Sequence, residues 1–156
     1  MKAVPAIIFC ICVVSFILVT GSCKKGDDPK PDAQEVQVSN LSKTWKVTEV
    51  RLNNTSLTGY SELKLVLSGS FGNALYGYNV TGAPDNNPWP ASGSWKFGNP
   101  MESKIIRDPG NTKEVEVTYA LTNDELRLNF IFNGKGFPGN RTASIEGAWS
   151  FTLVPE

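Results

Sequence analysis

Residues 113–132 read KEVEVTYALTNDELRLNFIF, and within them apolar and polar residues alternate with a period of two. Val115, Val117 and Tyr119 alternate with charged or hydroxyl-bearing residues, and the alternation resumes after Asn123-Asp124. Because successive side chains of a β-strand point to opposite faces, this pattern indicates strands with one buried and one solvated face. Asn and Asp favour turns, so the stretch predicts an antiparallel hairpin.

The period of two continues through the chain from residue 44 onward, and no stretch of that region sustains a helical stripe. Turn-forming residues separate the short alternating runs. We therefore predict an all-β domain, an eight-stranded antiparallel up-and-down barrel in which closure removes exposed strand edges. A two-sheet sandwich is the alternative. The predicted strands are 44–52, 61–68, 72–80, 92–98, 103–107, 113–121, 125–132 and 146–154.

Up-and-down connectivity gathers alternate loops at alternate ends of a barrel. The three long connections, 53–60, 81–91 and 133–145, fall at the same end. These loops would form the mouth of the barrel, and functional residues are often carried on such loops. The strand 44–52 begins at the opposite end, so we predict that the chain enters the barrel away from its mouth.

An apolar segment follows Lys2 and ends in small residues, as in a secretory signal peptide. The sequence VTGSC at residues 19–23 resembles the lipobox of bacterial lipoproteins, with Thr20 in place of the usual leucine. In that family the cysteine is lipidated and becomes the mature N-terminus. The resemblance implies a signal peptide over residues 1–22, lipidation of Cys23, and a place at the bacterial outer membrane, on the periplasmic leaflet or the cell surface. An uncleaved membrane anchor is the alternative.

Residues 23–40 are rich in charge, contain proline and have few large apolar groups. Such a segment cannot bury enough surface to offset the entropy lost on ordering. We therefore predict a flexible tether over residues 23–40, which would hold the domain 41–156 roughly 20–25 Å from the lipid. The pair Asp27-Asp28 is similar to the surface-export signals of Bacteroidetes lipoproteins, and simple solvation of the tether is the alternative reading.

Several classes of function are disfavoured by composition. The chain has no histidine, the usual general base and metal ligand, and its 15 basic and 15 acidic residues balance to zero formal charge. Cys10 and Cys12 would leave with the signal peptide. Residues 134–139 fit G-x-G-x-x-G, but Pro138 interrupts the motif and a strand follows it. We predict that the protein is not an enzyme, has no cofactor, metal or nucleic-acid partner, and is a monomer.

Five short motifs carry a family resemblance: Lys43-Thr44-Trp45, Gly93–Phe97, Ile105–Asp108, Asn140–Thr142 and Gly147–Phe151. Through them the stretch from Leu41 to Pro155 resembles a lipocalin-like family of Bacteroidetes lipoproteins of uncharacterised function. Lipocalins normally place glycine before the tryptophan of the first strand, where this chain has Lys43-Thr44. The resemblance implies a lipocalin-like barrel and a small apolar ligand inside it.

The pattern Gly-small-Trp-x-Phe occurs twice, around Trp95 and Trp149. Both copies open strands that start at the mouth, so we expect the two rings at similar depth on opposite sides of the barrel. The glycine two residues before each tryptophan would allow a bend or bulge. Together with Tyr78 on the same inner face, the rings would either plug the upper barrel or line the floor of a shallow ligand pocket.

Trp89 and Phe137 lie among prolines and glycines in the predicted mouth loops. Such rings could be platforms for a glycan or a protein partner, or they could fold down and cap the barrel. The predicted inner face is nearly all bulky, and an eight-stranded barrel is just wide enough to be filled or to hold one small ligand. Two functions therefore stay open: binding of a small apolar ligand at or near the mouth, and a surface interaction module.

Overall fold

The computed structural model of the protein describes residues 30–85, 87–134 and 145–156. The compact unit that contains the strands begins at Pro31. Within the described residues there is one helix, α1 (Ala33–Leu41), and there are nine strands. The strands are β1 (Thr44–Leu52), β2 (Thr55–Ser56), β3 (Lys64–Ser68), β4 (Tyr76–Thr81), β5 (Ser92–Phe97), β6 (Lys104–Arg107), β7 (Val115–Leu121), β8 (Leu126–Phe132) and β9 (Gly147–Pro155).

The strands form a closed eight-stranded antiparallel barrel. Neighbours in the chain pair in order from β3 to β9, and β1 pairs with both β3 and β9, which closes the sheet. The two-residue β2 adds a short arm on the end of β1. The predicted up-and-down barrel is therefore confirmed, and the sandwich alternative is wrong. β1 has the predicted bounds, whereas β4 begins later than predicted because Gly72 and Asn73 lie in a turn before it.

The arrangement of the loops at the two ends is also as predicted. Antiparallel order puts the connections 53–63, 82–91 and 108–114 at one end, which we call the long-loop end. The connections 69–75, 98–103 and 122–125, none longer than seven residues, lie at the other end, where β1 begins. The chain thus enters the barrel opposite its long loops.

The helix α1 corrects the predicted tether, which extended to residue 40. Asp32 caps the helix by accepting a 2.7 Å hydrogen bond from the backbone N–H of Gln34. Val38 and Leu41 are buried in the barrel core, and the indole N–H of Trp45 donates to the Leu41 carbonyl at 2.9 Å. Two buried apolar residues make too short a stripe to stand out in a polar sequence. We call the end that α1 covers the helix end.

The interior of the barrel is filled by side chains. Trp45, Trp95 and Trp149 are 0%, 0% and 2% exposed, and each indole N–H donates to a buried or partly buried backbone carbonyl at 2.8–2.9 Å. The inward positions of β7 and β8 are likewise buried, as their alternation predicts. The rings therefore act as core residues whose polar atoms are satisfied.

The two motif glycines have a role other than the predicted bend or bulge. The register shift of the barrel lies in β1, between Val47 and Glu49. A Cβ on Gly93 would lie 2.0 Å from Asp108 Oδ1, so glycine there leaves room for the side chains of Asp108 and Tyr78. Gly147 has a φ of 141°, and a Cβ on it would lie 2.5 Å from Asn53 Oδ1.

Candidate functional site

The described candidate residues from the sequence are all buried. Tyr78 is 4% exposed, Trp89 3%, Trp95 0% and Trp149 2%. Cys23 and Phe137 lie outside the described residues. The candidate site is therefore defined by the residues around Tyr78, Trp89 and Trp149 at the long-loop end.

Trp95 and Trp149 belong to different aromatic groups, which corrects the expectation of similar depth. The Trp95 ring lies 4.5 Å from Tyr76, whose hydroxyl accepts a hydrogen bond from Gln34 of α1 at the helix end. The Trp149 ring lies 6.1 Å from Tyr60, which belongs to a connection at the long-loop end. Strands of a barrel are staggered, so equal positions in a sequence motif do not give equal depth. No ring contact joins the two tryptophans among the described residues.

Trp89 is folded into the barrel and caps it. Its ring packs edge-on against Tyr78 at 5.5 Å, Phe130 at 5.7 Å and Phe151 at 6.5 Å. The buried Asn87 side chain donates to the Trp89 carbonyl at 2.7 Å and holds the loop in this conformation. Of the two roles weighed for Trp89, capping is the one that fits its burial, and a platform on the surface does not.

Arg107 is the main residue that sequence reasoning missed as part of the site. Its side chain is fully buried, with the guanidinium 4.8 Å from the Trp89 ring centre and 5.6 Å from that of Phe130. Nη1 donates to the Pro88 carbonyl at 3.0 Å, and burial lowers the pKa of Arg107. The signal was present in the sequence, because Ile105 alternates inward and Arg107 follows at the next inward position.

Asp108 joins Arg107 to β4 and β5. Its Oδ2 accepts a 2.7 Å hydrogen bond from the Tyr78 hydroxyl and lies 3.5 Å from Arg107 Nε, and its Oδ1 accepts from the Ser94 N–H at 3.2 Å. Burial, followed by this hydrogen bond and the Asp108 charge, raises the pKa of Tyr78. Gly93 leaves the space that these groups occupy. The result is a buried polar cluster beneath the long-loop end.

The polar cluster is not fully satisfied by the described residues. Arg107 Nη2 and Asn87 Oδ1 are buried and have no hydrogen-bond partner among them. An unpartnered buried donor or acceptor is costly, and ordered water commonly occupies such positions. The Arg107–Pro88 hydrogen bond ties the cluster to the loop that carries the Trp89 cap.

A cleft opens beside this cluster, where two neighbouring strands separate. The ladder between β7 and β8 joins Thr118–Leu121 to Leu126–Asn129 and does not continue toward the long-loop end. Residues 116–117 and 130–131 thus lie opposite one another without pairing to each other. A volume of about 770 Å³ opens at this separation. We call it the lateral cleft, and its described lining includes Thr112–Glu116, Thr118, Asn129–Gly134, Ala148–Ser150 and Asn54.

The lateral cleft combines an apolar wall with a polar rim. Phe130, Phe132 and Trp149 form part of its lining, and Ile131 exposes 59% of its surface. Glu116 stands at the rim in an ion pair with Lys104 at 2.8 Å. Pockets of roughly 300–1,000 Å³ with apolar walls and a few polar groups are typical of small-molecule sites. The cleft has this size and this lining.

The described residues contain neither a cluster suited to a metal ion nor a membrane-spanning helix. In residues 30–85, 87–134 and 145–156, no group of three or more His, Cys, Asp or Glu side chains is placed to hold a metal ion. No helix within the same ranges is long and apolar enough to cross a membrane.

Comparison of the chain with protein-family models, with curated proteins and with solved structures gives no match. The barrel, the polar cluster and the lateral cleft are therefore the features that bear on function.

Proposed function

We propose that the protein is a lipid-anchored lipoprotein of the bacterial envelope whose lipocalin-like barrel binds a small, largely apolar ligand in the lateral cleft. The observation that carries this proposal is the separation of β7 from β8, which opens about 770 Å³ beside Phe130, Phe132 and Trp149. The filled interior argues for a site in the wall of the barrel rather than along its axis.

The lining of the cleft supports a ligand that is mainly apolar with a polar part. Ile131, which exposes 59% of its surface, would lose contact with water when the ligand binds, and burial of such apolar surface is the main source of affinity for apolar molecules. Glu116–Val117 and Phe130–Ile131 also present strand edges that do not pair with each other. Their backbone groups can hydrogen-bond a polar group of the ligand.

A covalent bridge across the cleft tests its role. Continuing the register of Thr118 with Asn129 places Glu116 opposite Ile131, and both side chains are exposed. We expect bridging of Glu116→Cys and Ile131→Cys with a short bismaleimide to weaken binding of lauric acid by about tenfold or more, measured by calorimetry. Lauric acid that binds the bridged protein unchanged would contradict the proposed site.

The matched control is a bridge between Ala120→Cys and Arg127→Cys. These residues are directly paired in the closed part of the same two strands, and both are exposed. This bridge leaves the lateral cleft open, so binding of lauric acid should be unchanged. The control separates blockage of the cleft from a general effect of cross-linking.

The lipid anchor is proposed on the lipobox-like sequence that ends at Cys23. We expect radiolabelled palmitic acid to be incorporated into the wild-type protein and not into the Cys23→Ala variant. With the chain entering at the helix end, such an anchor would leave the long-loop end and the lateral cleft facing away from the membrane.

A surface interaction module is the second candidate function. The exposure of Ile131 beside the long loops favours it, since an exposed apolar side chain in a cleft can also contact a protein or a sugar. Because Trp89 is buried, such a module would use the lateral cleft and not a Trp89 platform. Thermal-shift screens separate the two functions: stabilisation by fatty acids alone favours the first, and stabilisation by oligosaccharides alone favours the second.

A further inference from the structure

The helix end carries a group of exposed apolar side chains. Among the described residues four large apolar side chains are markedly exposed, and one of them, Ile131, belongs to the lateral cleft. The other three are Val36 at 43%, Phe71 at 49% and Leu75 at 49%. Val36 lies on α1, and Phe71 and Leu75 lie in the connection from β3 to β4. We call Phe71 and Leu75 the helix-end patch.

Contacts of α1 show how the helix lies beside the β3–β4 connection. Gln34 of α1 donates to the hydroxyl of Tyr76, the residue after Leu75, at 2.8 Å, so the helix lies beside the β3–β4 connection. Gln34, Val38 and Leu41 are directed to the barrel. At about 100° per residue, Val36 points to the opposite side of the helix from Gln34, and so away from this connection. Phe71 and Leu75 are each 49% exposed on the connection beside α1.

The position of the proposed anchor places the helix end near the lipid bilayer. Nine residue steps separate Cys23 from Asp32, the cap of α1. Such a length of chain spans at most about 32 Å even when fully extended. A lipid on Cys23 thus keeps the helix end close to the bilayer surface, and at such short range weak apolar contacts are sufficient for docking because the effective concentration is high.

We propose that the helix-end patch docks the barrel on the lipid bilayer, with Phe71 and Leu75 in the interfacial layer. This inference rests on the proposed lipid anchor at Cys23. Apolar side chains on a surface held at a bilayer bind by burying their area at the headgroup boundary. Docking would fix the barrel upright and present the lateral cleft to the solvent.

Lipid-borne quenchers test the docking. The lipidated full-length protein is placed in vesicles of phosphatidylethanolamine with a minor fraction of phosphatidylglycerol, which carry doxyl-labelled lipid. A fluorophore is attached at Asn73→Cys, an exposed position between Phe71 and Leu75, or at Ala83→Cys, an exposed position at the long-loop end. We expect several-fold stronger quenching at residue 73 than at residue 83.

Replacement of the patch gives the matched comparison. Phe71→Ser together with Leu75→Ser should reduce quenching at residue 73 to the level at residue 83, whereas Ala74→Ser in the same connection should leave it unchanged. All three residues are exposed, so the fold should persist, and a melting curve checks this. Quenching that persists in the double variant would overturn the role of the patch.

Flotation of the vesicles distinguishes the anchor from the docking. Protein that floats with the vesicles but is quenched equally at residues 73 and 83 would overturn the docking and leave the anchor intact. Protein that does not float would overturn the lipid anchor, and the docking with it.

Discussion

Gly93 is the residue on which the buried polar cluster depends. A methyl group there would lie 2.0 Å from Asp108 Oδ1 and 2.5 Å from the Tyr78 hydroxyl. We expect Gly93→Ala to lower the free energy of unfolding by about 2 kcal/mol or more, because it forces apart a buried hydrogen-bonded pair. Urea denaturation measures the change.

Gly77→Ala is the control for this prediction. It adds the same methyl group in the neighbouring strand, where the nearest atom is the hydroxyl of the exposed Ser68 at 3.0 Å. Its cost should be clearly smaller than that of Gly93→Ala. Equal costs at the two positions would mean that the polar cluster contributes nothing beyond strand propensity.

Three tyrosines predict loss of stability in alkali. Burial raises the pKa of Tyr60 to about 12 and, with the charge of Glu102, that of Tyr119 to about 12, and Tyr78 is also raised. Above pH 10 the unfolded chain releases protons that the folded protein retains, so the free energy of unfolding falls from about pH 10 to pH 12. Below pH 10 this contribution to stability is fully present.

Urea midpoints at pH 9 and pH 11 measure this fall. Tyr119→Phe should make it shallower, because one of the raised groups is then absent. Absorbance titration gives the result that would contradict this: ionisation of Tyr60, Tyr78 and Tyr119 near pH 10 in the still-folded protein.

The role of Arg107 was only partly accessible from its sequence position. The alternation of Ile105 and Arg107 places both on the inner face of β6, and a charge at such a position is a signal of a buried polar group. Its partners could not be predicted, because Pro88 and Trp89 belong to a connection without a period. Only the folding of that connection into the barrel brings them to the guanidinium.

At the level of elements, α1 is part of the folded unit. Leu41 is fully buried and Val36 is 43% exposed on the same helix. We expect Leu41→Ala to lower the free energy of unfolding by about 2–5 kcal/mol, as for other buried leucines. Val36→Ala should change it by less than about 0.5 kcal/mol. Denaturation midpoints that are equal for the two variants would contradict the docking of α1 on the barrel.

Strands were predicted better than the other elements for a physical reason. A regular barrel strand buries one face along its whole length, so β7 and β8 each show a sustained period of two. The helix buries mainly Val38 and Leu41 beneath a polar surface, and its stability comes from contacts with the barrel that the local sequence does not encode. The separation of β7 from β8 could not be predicted from the sequence either, since both strands keep their alternation there.

For the whole molecule, the structure separates a filled scaffold from its candidate binding surface. The predicted closure and loop arrangement are confirmed, because they follow from strand order alone. The expectation that Trp95 and Trp149 face each other at equal depth is wrong, because barrel stagger cannot be read from a repeated motif. The core rings fill the barrel, and a volume of about 770 Å³ opens in its wall.

The central claim is that the ligand binds in the lateral cleft and not inside the barrel. The most direct test is an NMR titration of the unlipidated Cys23→Ser variant with lauric acid. We expect shifts at residues 112–118, 129–134 and 148–150 and at the indole N–H of Trp149, with the indole signals of Trp45 and Trp95 unchanged. Shifts at Trp45 and Trp95 without shifts along the cleft would contradict the claim.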